Sequence, residues 1–170
     1  LIGISYGMML LSRKKIVHRD IKPDNIILDR DFYPKITDFG LAKKLDLNIT
    51  NTAVGTPLYM SPEVIDEKDY SEKSDVYAFG ILMYQIVTDE EPFSELGKKI
   101  TSFQLQKKVI EGERPKFHFP IKPFLKNLIE KCWSDNPSNR PTFKEIYYKL
   151  AFNQENPINE YNLDNKYYLE

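Results

Sequence analysis

Residues His18–Asn25 read HRDIKPDN, and residues Asp38–Gly40 read DFG. Acidic, basic and amide side chains are concentrated in the first motif, and a carboxylate opens the second. Between the motifs lie two short β-type runs, Ile26–Leu28 and Lys35–Thr37, separated by the turn-rich segment Asp29–Asp31. This pattern predicts a small β-hairpin that is flanked in the sequence by the two polar motifs.

The polar side chains of the two motifs are those that phosphoryl transfer requires. Such a reaction needs an acceptor for the proton of the attacking hydroxyl, a positive charge near the moving group, and oxygen ligands for Mg²⁺. Asp20 would orient the hydroxyl and Lys22 would neutralise developing charge, while Asn25 and Asp38 would hold the metal. Because these groups must surround one phosphoryl group, we expect the four side chains to converge on one cleft.

Helical periodicity dominates the rest of the chain. Ile4, Met8 and Leu11 recur at helical spacing before the basic cluster Arg13–Lys15, as expected for a helix that buries one face and ends in cations. Three further helical stretches are predicted, one apolar nearly all round and two with an apolar stripe: Asp75–Val87, Phe124–Cys132 and Phe143–Leu150. The predicted fold class is mainly α with a small β element.

Composition excludes several classes of partner. The chain has 170 residues, of which 41% are hydrophobic and 13% aromatic, which predicts one well-packed domain. With 24 basic and 25 acidic residues the formal charge is -1, so neither nucleic acid nor a membrane surface is predicted as a partner. The single cysteine, Cys132, favours a reducing compartment, the cytosol or the nucleus, and the cytoplasm is the predicted location.

The ends of the chain differ from its middle. Leu1–Leu11 lacks the features of a signal peptide, and the apolar stretch Ala78–Val87 is shorter than the ~20 residues of a membrane-spanning helix. From Asn153 onward asparagine recurs every third residue, a period that no helix or strand has. The predicted domain is therefore residues 1–152, followed by an Asn-rich flexible tail, residues 153–170. The alternative is a docking tail that uses its tyrosines, Tyr161, Tyr167 and Tyr168.

The two motifs, with three more that follow in the same order, resemble the eukaryotic protein kinases. The later motifs are Gly55–Glu63, which reads GTPLYMSPE, Asp75–Gly80, which reads DVYAFG, and the segment Cys132–Pro141. The resemblance covers roughly residues 1–152. It implies a protein kinase-like fold of which this chain forms the C-terminal, large helical lobe, with ATP and Mg²⁺ as cofactors and proteins as substrates.

The resemblance also implies a role for individual residues. Asp20 and Lys22 would be catalytic, Asn25 and Asp38 would bind Mg²⁺ and ATP, and Ile27 would form the apolar floor under adenine, with a simple core strand as the alternative. Structural roles are implied for the remaining residues of the set: His18 and Phe39 as stacked packing residues, Glu63 and Arg140 as a buried ion pair, and Asp75 as the anchor of the catalytic-loop backbone.

Two features of the resemblance concern the substrate class. Lys22, together with Thr56 in Gly-Thr-Pro, is similar to the serine/threonine kinases and implies transfer to Ser and Thr hydroxyls. Three other segments, Cys132–Trp133, Arg140–Phe143 and Gly112–Pro115, look like the tyrosine-kinase-like (TKL) group, whose members mostly phosphorylate serine and threonine. Ser61 replaces the alanine that usually precedes Pro62–Glu63, a small-for-small change.

Residues 41–54 would form the activation loop of such an enzyme. Arg19 precedes Asp20 directly, and a phosphate of about -2 charge on the loop would pair with its guanidinium. Thr52 is the favoured acceptor because of its distance from Gly55, and Thr50 is the alternative. The phosphate would come from an upstream kinase or from autophosphorylation.

Two hypotheses about function follow from what the sequence contains. The Gly-rich phosphate loop and the ATP-binding lysine of the kinases have no counterpart before Leu1, so the chain is expected to be a fragment of an active serine/threonine kinase. The alternative is a non-catalytic, pseudokinase-like interaction module that binds a partner through the surface formed by Phe93–Ile110.

Overall fold

A computed structural model describes residues 1–45, 55–67, 70–97 and 99–153 of the chain. Within these ranges the protein is mainly α-helical with a small β element, as the sequence predicts. Short single-turn 3₁₀ segments connect several of the elements. The described helices are α1 (Ile2–Arg13), α2 (Pro62–Ile65), α3 (Glu72–Thr88), α4 (Ser102–Ile110), α5 (Pro123–Cys132) and α6 (Phe143–Ala151); the strands are β1 (Ile16–Val17), β2 (Ile26–Leu28), β3 (Pro34–Ile36) and β4 (Lys43–Lys44).

Helix α3 is the centre of the hydrophobic core. Its side chains from Ser74 to Tyr84 are all buried, in agreement with a stretch that is apolar nearly all round. The helix begins at a capping box in which Ser71 accepts a hydrogen bond from the backbone of Lys73 while the Ser74 hydroxyl accepts one from the backbone of Ser71. It ends at Asp89, a left-handed residue with φ of 56°.

The other helices pack around α3. Helix α5 approaches α3 closely at Gly80, where a Cβ atom would lie 2.8 Å from Cβ of Cys132. Helix α1 packs against α6, and the rings of Tyr6 and Tyr147 have centroids 5.4 Å apart there. The first and last described helices are therefore neighbours, and the core between them includes Ile4, Met8 and Ile146.

The predicted hairpin consists of β2 and β3, which pair antiparallel with Ile26 opposite Ile36. Its turn is closed by Asp29, whose Oδ1 accepts hydrogen bonds from the backbone N–H groups of Asp31 and Tyr33, both at 3.0 Å. Phe32 completes the turn in a left-handed conformation with φ of 62°.

A second two-stranded sheet, which the sequence did not predict, pairs β1 with β4 antiparallel. Ile16 lies opposite Lys44 and Val17 opposite Lys43, so this ladder joins the residues just before His18 to the chain that follows the DFG motif. The two strands are only two residues long each, and no period can be recognised in so short a run.

The tail prediction lies almost entirely outside the described residues. Helix α6 ends at Ala151, and the description ends at Asn153, so residues 154–170 are not covered and the boundary at residue 152 stays a prediction. None of the helices in the described ranges has the length and apolar character needed to cross a bilayer.

Candidate active site

The buried carboxylate of Asp75, on helix α3, anchors the loop that carries Asp20. Asp75 Oδ2 accepts a hydrogen bond from the backbone N–H of His18 at 2.7 Å, and its Oδ1 accepts one from the N–H of Arg19 at 2.9 Å. Arg19 has a left-handed backbone with φ of 72°, which the paired hydrogen bonds help to hold. Asp75 therefore lies where the sequence places the anchor of this loop.

Burial determines the protonation behaviour of Asp75. Burial raises the pKa of its carboxyl, and the hydrogen bonds from the backbone of His18 and Arg19 offset only part of the increase. The hydroxyl of Tyr70 donates a further hydrogen bond to Asp75 Oδ1 at 3.3 Å. The anchor is thus a carboxylate enclosed by donors rather than by solvent.

The carboxylate of Asp20 is surrounded by donors from three other residues. Its Oδ2 accepts from Lys22 Nζ at 2.8 Å and from Asn25 Nδ2 at 3.1 Å. Its Oδ1 accepts from the hydroxyl of Thr56 at 2.9 Å and from the backbone N–H of the same residue at 3.1 Å. Lys22 Nζ also donates to the Thr56 hydroxyl at 3.0 Å, so these side chains form one network.

This network shifts the pKa values of Asp20 and Lys22 in opposite directions. Burial by itself would raise the pKa of Asp20, but the hydrogen bonds from Lys22 and Thr56 outweigh it, and the pKa lies below its usual value. The hydrogen bond to Asp20 raises the pKa of Lys22, and the negative charges of Asp24 and Asp38 add to the increase. Both side chains are therefore charged at neutral pH.

The backbone conformation of Gly55 allows Thr56 to contact Asp20. Its φ of +116° is a conformation that side chains rarely adopt, and a Cβ atom there would lie 2.8 Å from the backbone oxygen of Arg19. The sequence pattern indicates a role for Thr56 but not for Gly55. A glycine directly before a residue that must approach another backbone closely is the signal that would have identified it.

Thr37, which lies between the hairpin and the DFG motif, links Asn25 to Asp38. The N–H and hydroxyl of Thr37 donate to the backbone oxygen of Asn25 at 2.9 and 3.2 Å. Asp38 follows in a left-handed conformation with φ of 59°, and its Oδ1 accepts from the N–H of Gly40 at 3.3 Å. Asp38 is exposed, and its charge reaches Lys22, as the pKa of that lysine indicates.

Asn25 and Asp38 carry side-chain oxygen atoms of the kind that Mg²⁺ prefers as ligands. The Nδ2 atom of Asn25 makes both hydrogen bonds to Asp20, which leaves the amide oxygen as the atom that would ligate a cation. Within the described ranges no three acidic, histidine or cysteine side chains cluster as a metal cage. Mg²⁺ commonly keeps several waters and is bound through one or two protein oxygens together with substrate phosphates.

The rings of His18 and Phe39 are in contact, but they are tilted rather than stacked, and Phe39 is 48% exposed. Their ring centroids lie 5.0 Å apart with an interplanar angle of 60°, and His18 is fully buried. The His18 Nε2 lies 3.0 Å from the backbone oxygen of Thr37, a distance at which a protonated Nε2 donates to that carbonyl. This contact joins the side chain of His18 to the backbone directly before the DFG motif.

Arg19 is buried beneath the site, with 4% of its surface exposed. Its guanidinium lies over the ring of Tyr70, 5.0 Å from the centroid. No role for Tyr70 is predicted from the sequence, because one aromatic residue just before a helix gives no signal of such a contact. Thr50 and Thr52 lie outside the described residues, so their pairing with Arg19 through a phosphate stays a prediction.

Glu63 and Arg140 form a bidentate ion pair. Arg140 Nη1 donates to Glu63 Oε1 at 2.6 Å, and Nη2 donates to Oε2 at 2.8 Å. Burial would raise the pKa of Glu63, but the hydrogen bonds from Arg140 lower it below its usual value. The pair ties helix α2 to the segment before α6, which agrees with a structural role.

Ile27 does not lie in the hydrophobic core. Its side chain is 52% exposed on strand β2, so the alternative of a simple core position is wrong. Its predicted contact with adenine stays a prediction.

The chain is similar in sequence to known proteins over most of its length. Residues 2–150 match the family model described as the protein kinase domain. Three similar curated proteins come from Dictyostelium discoideum: dual specificity protein kinase shkC, 43% identical over 82% of this chain and 28% of its own length; dual specificity protein kinase shkD, 41% over 80% and 18%; and RGS domain-containing serine/threonine-protein kinase A, 35% over 85% and 12%. The chain thus spans less than a third of the length of each of these relatives. It belongs to the protein kinase domain family.

Proposed function

We propose that this chain is the C-terminal lobe of a protein kinase that transfers the γ-phosphate of ATP to Ser and Thr hydroxyls of proteins. The observation that carries the proposal is the network around the Asp20 carboxylate, in which Lys22, Asn25 and Thr56 all donate hydrogen bonds. The family match supports the same chemistry, and one of the three relatives, RGS domain-containing serine/threonine-protein kinase A, carries the serine/threonine name.

In this proposal Asp20 orients the attacking hydroxyl. Because its pKa is lowered, the carboxylate is a weak base that accepts a hydrogen bond and fixes the direction of attack rather than removing the proton early. A substrate hydroxyl at Oδ1 would take a place beside or instead of the Thr56 hydroxyl. Lys22, held by Asp20 and Thr56, keeps its positive charge next to the transferred group.

ATP and Mg²⁺ are assigned to the side of the network formed by Asn25 and Asp38. Bound Mg²⁺ neutralises charge on the phosphates of the nucleotide. Asn25 would offer its amide oxygen and Asp38 its carboxylate, and the left-handed turn at Asp38 holds that carboxylate beside the glycine of the DFG motif. The exposed Ile27 would contact the adenine.

The finer assignment is to a serine/threonine kinase of the TKL group. Lys22 and Thr56 are in direct contact, which supports the Ser/Thr prediction, although shkC and shkD carry the name of dual specificity kinases. Two of the TKL-like segments also pack together, because Arg114 Nε donates to the backbone oxygen of Trp133 at 2.9 Å. Phosphorylation of Thr52, or of Thr50, would regulate the site through Arg19.

A second candidate function rests on helix α4. Phe103 is 78% exposed and Ile110 is exposed one heptad later on the same helix, so this surface would suit a non-catalytic interaction module. A measurement of phosphate transfer distinguishes the two candidate functions.

Phosphate transfer by the full-length protein that contains this chain tests the proposal. With Mg²⁺ and labelled ATP, we expect phosphate on serine and threonine of a protein substrate, and we expect Asp20→Asn to lower kcat about 10²–10⁴-fold. Asp31→Asn, the same change in the exposed hairpin turn, is the matched control and should leave kcat unchanged. Transfer that survives Asp20→Asn undiminished would remove Asp20 from the mechanism, and a folded but inactive wild type would favour the interaction module.

A further inference from the structure

Tyr70 contacts both of the residues that hold the backbone just before Asp20. Its hydroxyl donates a hydrogen bond to Asp75 Oδ1 at 3.3 Å, and the guanidinium of Arg19 lies over its ring, 5.0 Å from the centroid. The same Asp75 Oδ1 accepts the hydrogen bond from the backbone N–H of Arg19 at 2.9 Å. Tyr70, Asp75 and Arg19 therefore form a closed set of contacts on the segment that leads into Asp20.

Arg19 has a backbone conformation that its neighbours must maintain. Its φ of 72° lies in the left-handed region, which costs free energy for a residue with a side chain. Without support, Arg19 would relax toward negative φ, and the direction of the next side chain, that of Asp20, would change with this rotation. The place of the Asp20 carboxylate beside Lys22 and Thr56 thus depends on what holds Arg19.

The ring of Tyr70 is the part of its side chain that holds Arg19. Arg19 is only 4% exposed, and a cation over an aromatic face is held more strongly where water does not compete for it. Burial and the negative charge of Asp75 raise the pKa of Tyr70, so its hydroxyl remains a donor at neutral pH. That hydrogen bond is weaker, because its 3.3 Å exceeds the roughly 2.5–3.0 Å of typical O–H···O bonds.

Tyr70 and Asp20 line the same small cavity, whose volume is about 10 Å³. Arg19 and Thr56 line it as well. A space of this size holds about one water molecule, so these side chains are closely packed. A smaller side chain at position 70 would open the space to further water, and both Arg19 and Asp20 would gain room to move.

We propose that Tyr70 is a positioning residue for phosphoryl transfer, whose ring fixes Arg19 and thereby the direction of the Asp20 carboxylate. Tyr70 does not touch the reacting groups and acts through Arg19. This inference rests on the proposed function, since that function makes Asp20 the group that orients the attacking hydroxyl. It adds a residue from the segment before helix α3 to the residues that determine the reaction rate.

Steady-state kinetics of the full-length protein test the inference. Tyr70→Leu, which removes the ring, should lower kcat about 10- to 100-fold and change KM for ATP and for a peptide substrate by less than about threefold, because orientation is lost rather than binding. Tyr70→Phe, which keeps the ring, should retain a kcat within about threefold of the wild type.

Tyr147→Leu is the matched control. It removes a ring contact with Tyr6, whose centroid lies 5.4 Å away, between helices α1 and α6, and it should leave kcat unchanged. Thermal unfolding checks that each variant is folded at the assay temperature. Tyr70→Met, which also lacks a ring, takes the place of Tyr70→Leu if the leucine variant does not fold.

A double variant tests whether Tyr70 acts through Asp20. If it does, adding Tyr70→Leu to Asp20→Asn should lower kcat by less than about twofold further, because the carboxylate whose direction Tyr70 fixes is already absent. A residue that only stabilised the fold would cause the same loss in both backgrounds.

Hydrogen exchange measures the hold on the loop without catalysis. The backbone N–H groups of His18 and Arg19 both donate to Asp75, so they report on the segment before Asp20. In peptides that cover residues 16–22, Tyr70→Leu should exchange about 10-fold faster than the wild type, and Tyr70→Phe should exchange at nearly the wild-type rate.

The outcomes separate the inference from the proposed function. A kcat of Tyr70→Leu within about twofold of the wild type, an equal loss in the two backgrounds, or unchanged exchange at His18 and Arg19 would each overturn the inference. A folded wild type that transfers no phosphate would instead show that the proposed function is wrong. Faster exchange in Tyr70→Leu would then still identify Tyr70 as the residue that holds the Asp20 loop.

Discussion

At the scale of single residues, the ring and the hydroxyl of Tyr77 should have opposite effects on the stability of the fold. Two guanidinium groups lie over the ring of Tyr77, that of Arg114 at 5.0 Å and that of Arg140 at 5.2 Å from its centroid. Its hydroxyl is buried and has no hydrogen-bond partner in the part of the chain that the structure describes. The ring should therefore stabilise the fold while the hydroxyl destabilises it.

We predict that Tyr77→Phe leaves the free energy of unfolding unchanged or raises it by about 1 kcal/mol, because it removes a buried polar group without a partner. Tyr77→Leu should lower it by about 1–3 kcal/mol, since both cation–π contacts and the ring volume are lost. Urea unfolding of the purified protein measures both values. A large loss of stability in the phenylalanine variant would show that the hydroxyl has a partner.

The Glu63–Arg140 pair gives a stability prediction that depends on pH. At neutral pH, Glu63→Gln should cost about 3–5 kcal/mol because it leaves the fully buried Arg140 side chain without its counter-charge. The folded-state pKa of Glu63 lies below its unfolded value, so its contribution is present above the unfolded pKa and is lost as the pH falls through the folded value. The difference between wild type and variant should thus shrink toward acid pH.

Unfolding free energies between neutral pH and about pH 3 would check this dependence. Glu130→Gln, which removes an exposed ion pair with Lys126, is the matched control and should change stability by less than about 0.5 kcal/mol at any pH. A difference for Glu63→Gln that stays constant with pH would contradict the assignment.

At the scale of secondary-structure elements, the same substitution should have opposite effects in the hairpin and in helix α4. Phe32 and Phe103 are similarly exposed, at 79% and 78%. Phe32 has a left-handed backbone with φ of 62° in the turn between β2 and β3, whereas Phe103 lies in the first turn of α4. The two phenylalanines therefore have the same exposed fraction and differ in backbone conformation.

We predict that Phe32→Gly raises the free energy of unfolding by about 0.5–1 kcal/mol, because glycine adopts the left-handed conformation without steric cost. Phe103→Gly should lower it by about 0.5–1 kcal/mol, because glycine is a poor helix former. Thermal or urea unfolding measures both effects. A loss of stability for Phe32→Gly would indicate that the phenyl ring makes a stabilising contact.

At the scale of the whole molecule, the core and the reaction have different requirements. The core is formed by helices around α3 and contains residues from α1, α4, α5 and α6. None of these core contacts involves the proposed nucleotide. Phosphoryl transfer by contrast depends on positioning, and in the proposal only one side of the nucleotide meets Asn25, Ile27 and Asp38.

We predict that the 170-residue chain by itself is at least partly folded but transfers phosphate very poorly compared with the same chain joined to an N-terminal kinase lobe. If that lobe holds the other side of ATP, the reaction without it forfeits part of the ~7–11 kcal/mol that good positioning can supply. Circular dichroism tests the first half, and a labelled-phosphate assay on both proteins tests the second. Robust transfer by the chain alone would contradict the proposed division between lobes.

Much of the fold was predictable because it depends on local pattern. The helical stripes predicted α1, α3, α5 and α6, and the β-type runs around Asp29–Asp31 predicted the hairpin. Asp20, Lys22 and Asn25 could be selected from one motif because they lie close in sequence. Glu63 and Arg140, 77 residues apart, were paired only through the resemblance to the kinases, since no local pattern joins them.

The tertiary structure decided what depends on distant segments meeting. The pairing of β1 with β4, the contact of Tyr70 with Arg19, and the contact of Thr56 with Asp20 leave no periodic signal, because each is a contact between residues far apart in the chain. The requirement for glycine at position 55 likewise becomes apparent only in the folded chain, where the backbone oxygen of Arg19 lies opposite it. Sequence by itself determined which chemical groups the site contains, and the folded chain determined which of them touch, because hydrogen bonds and ion pairs form between neighbours in space.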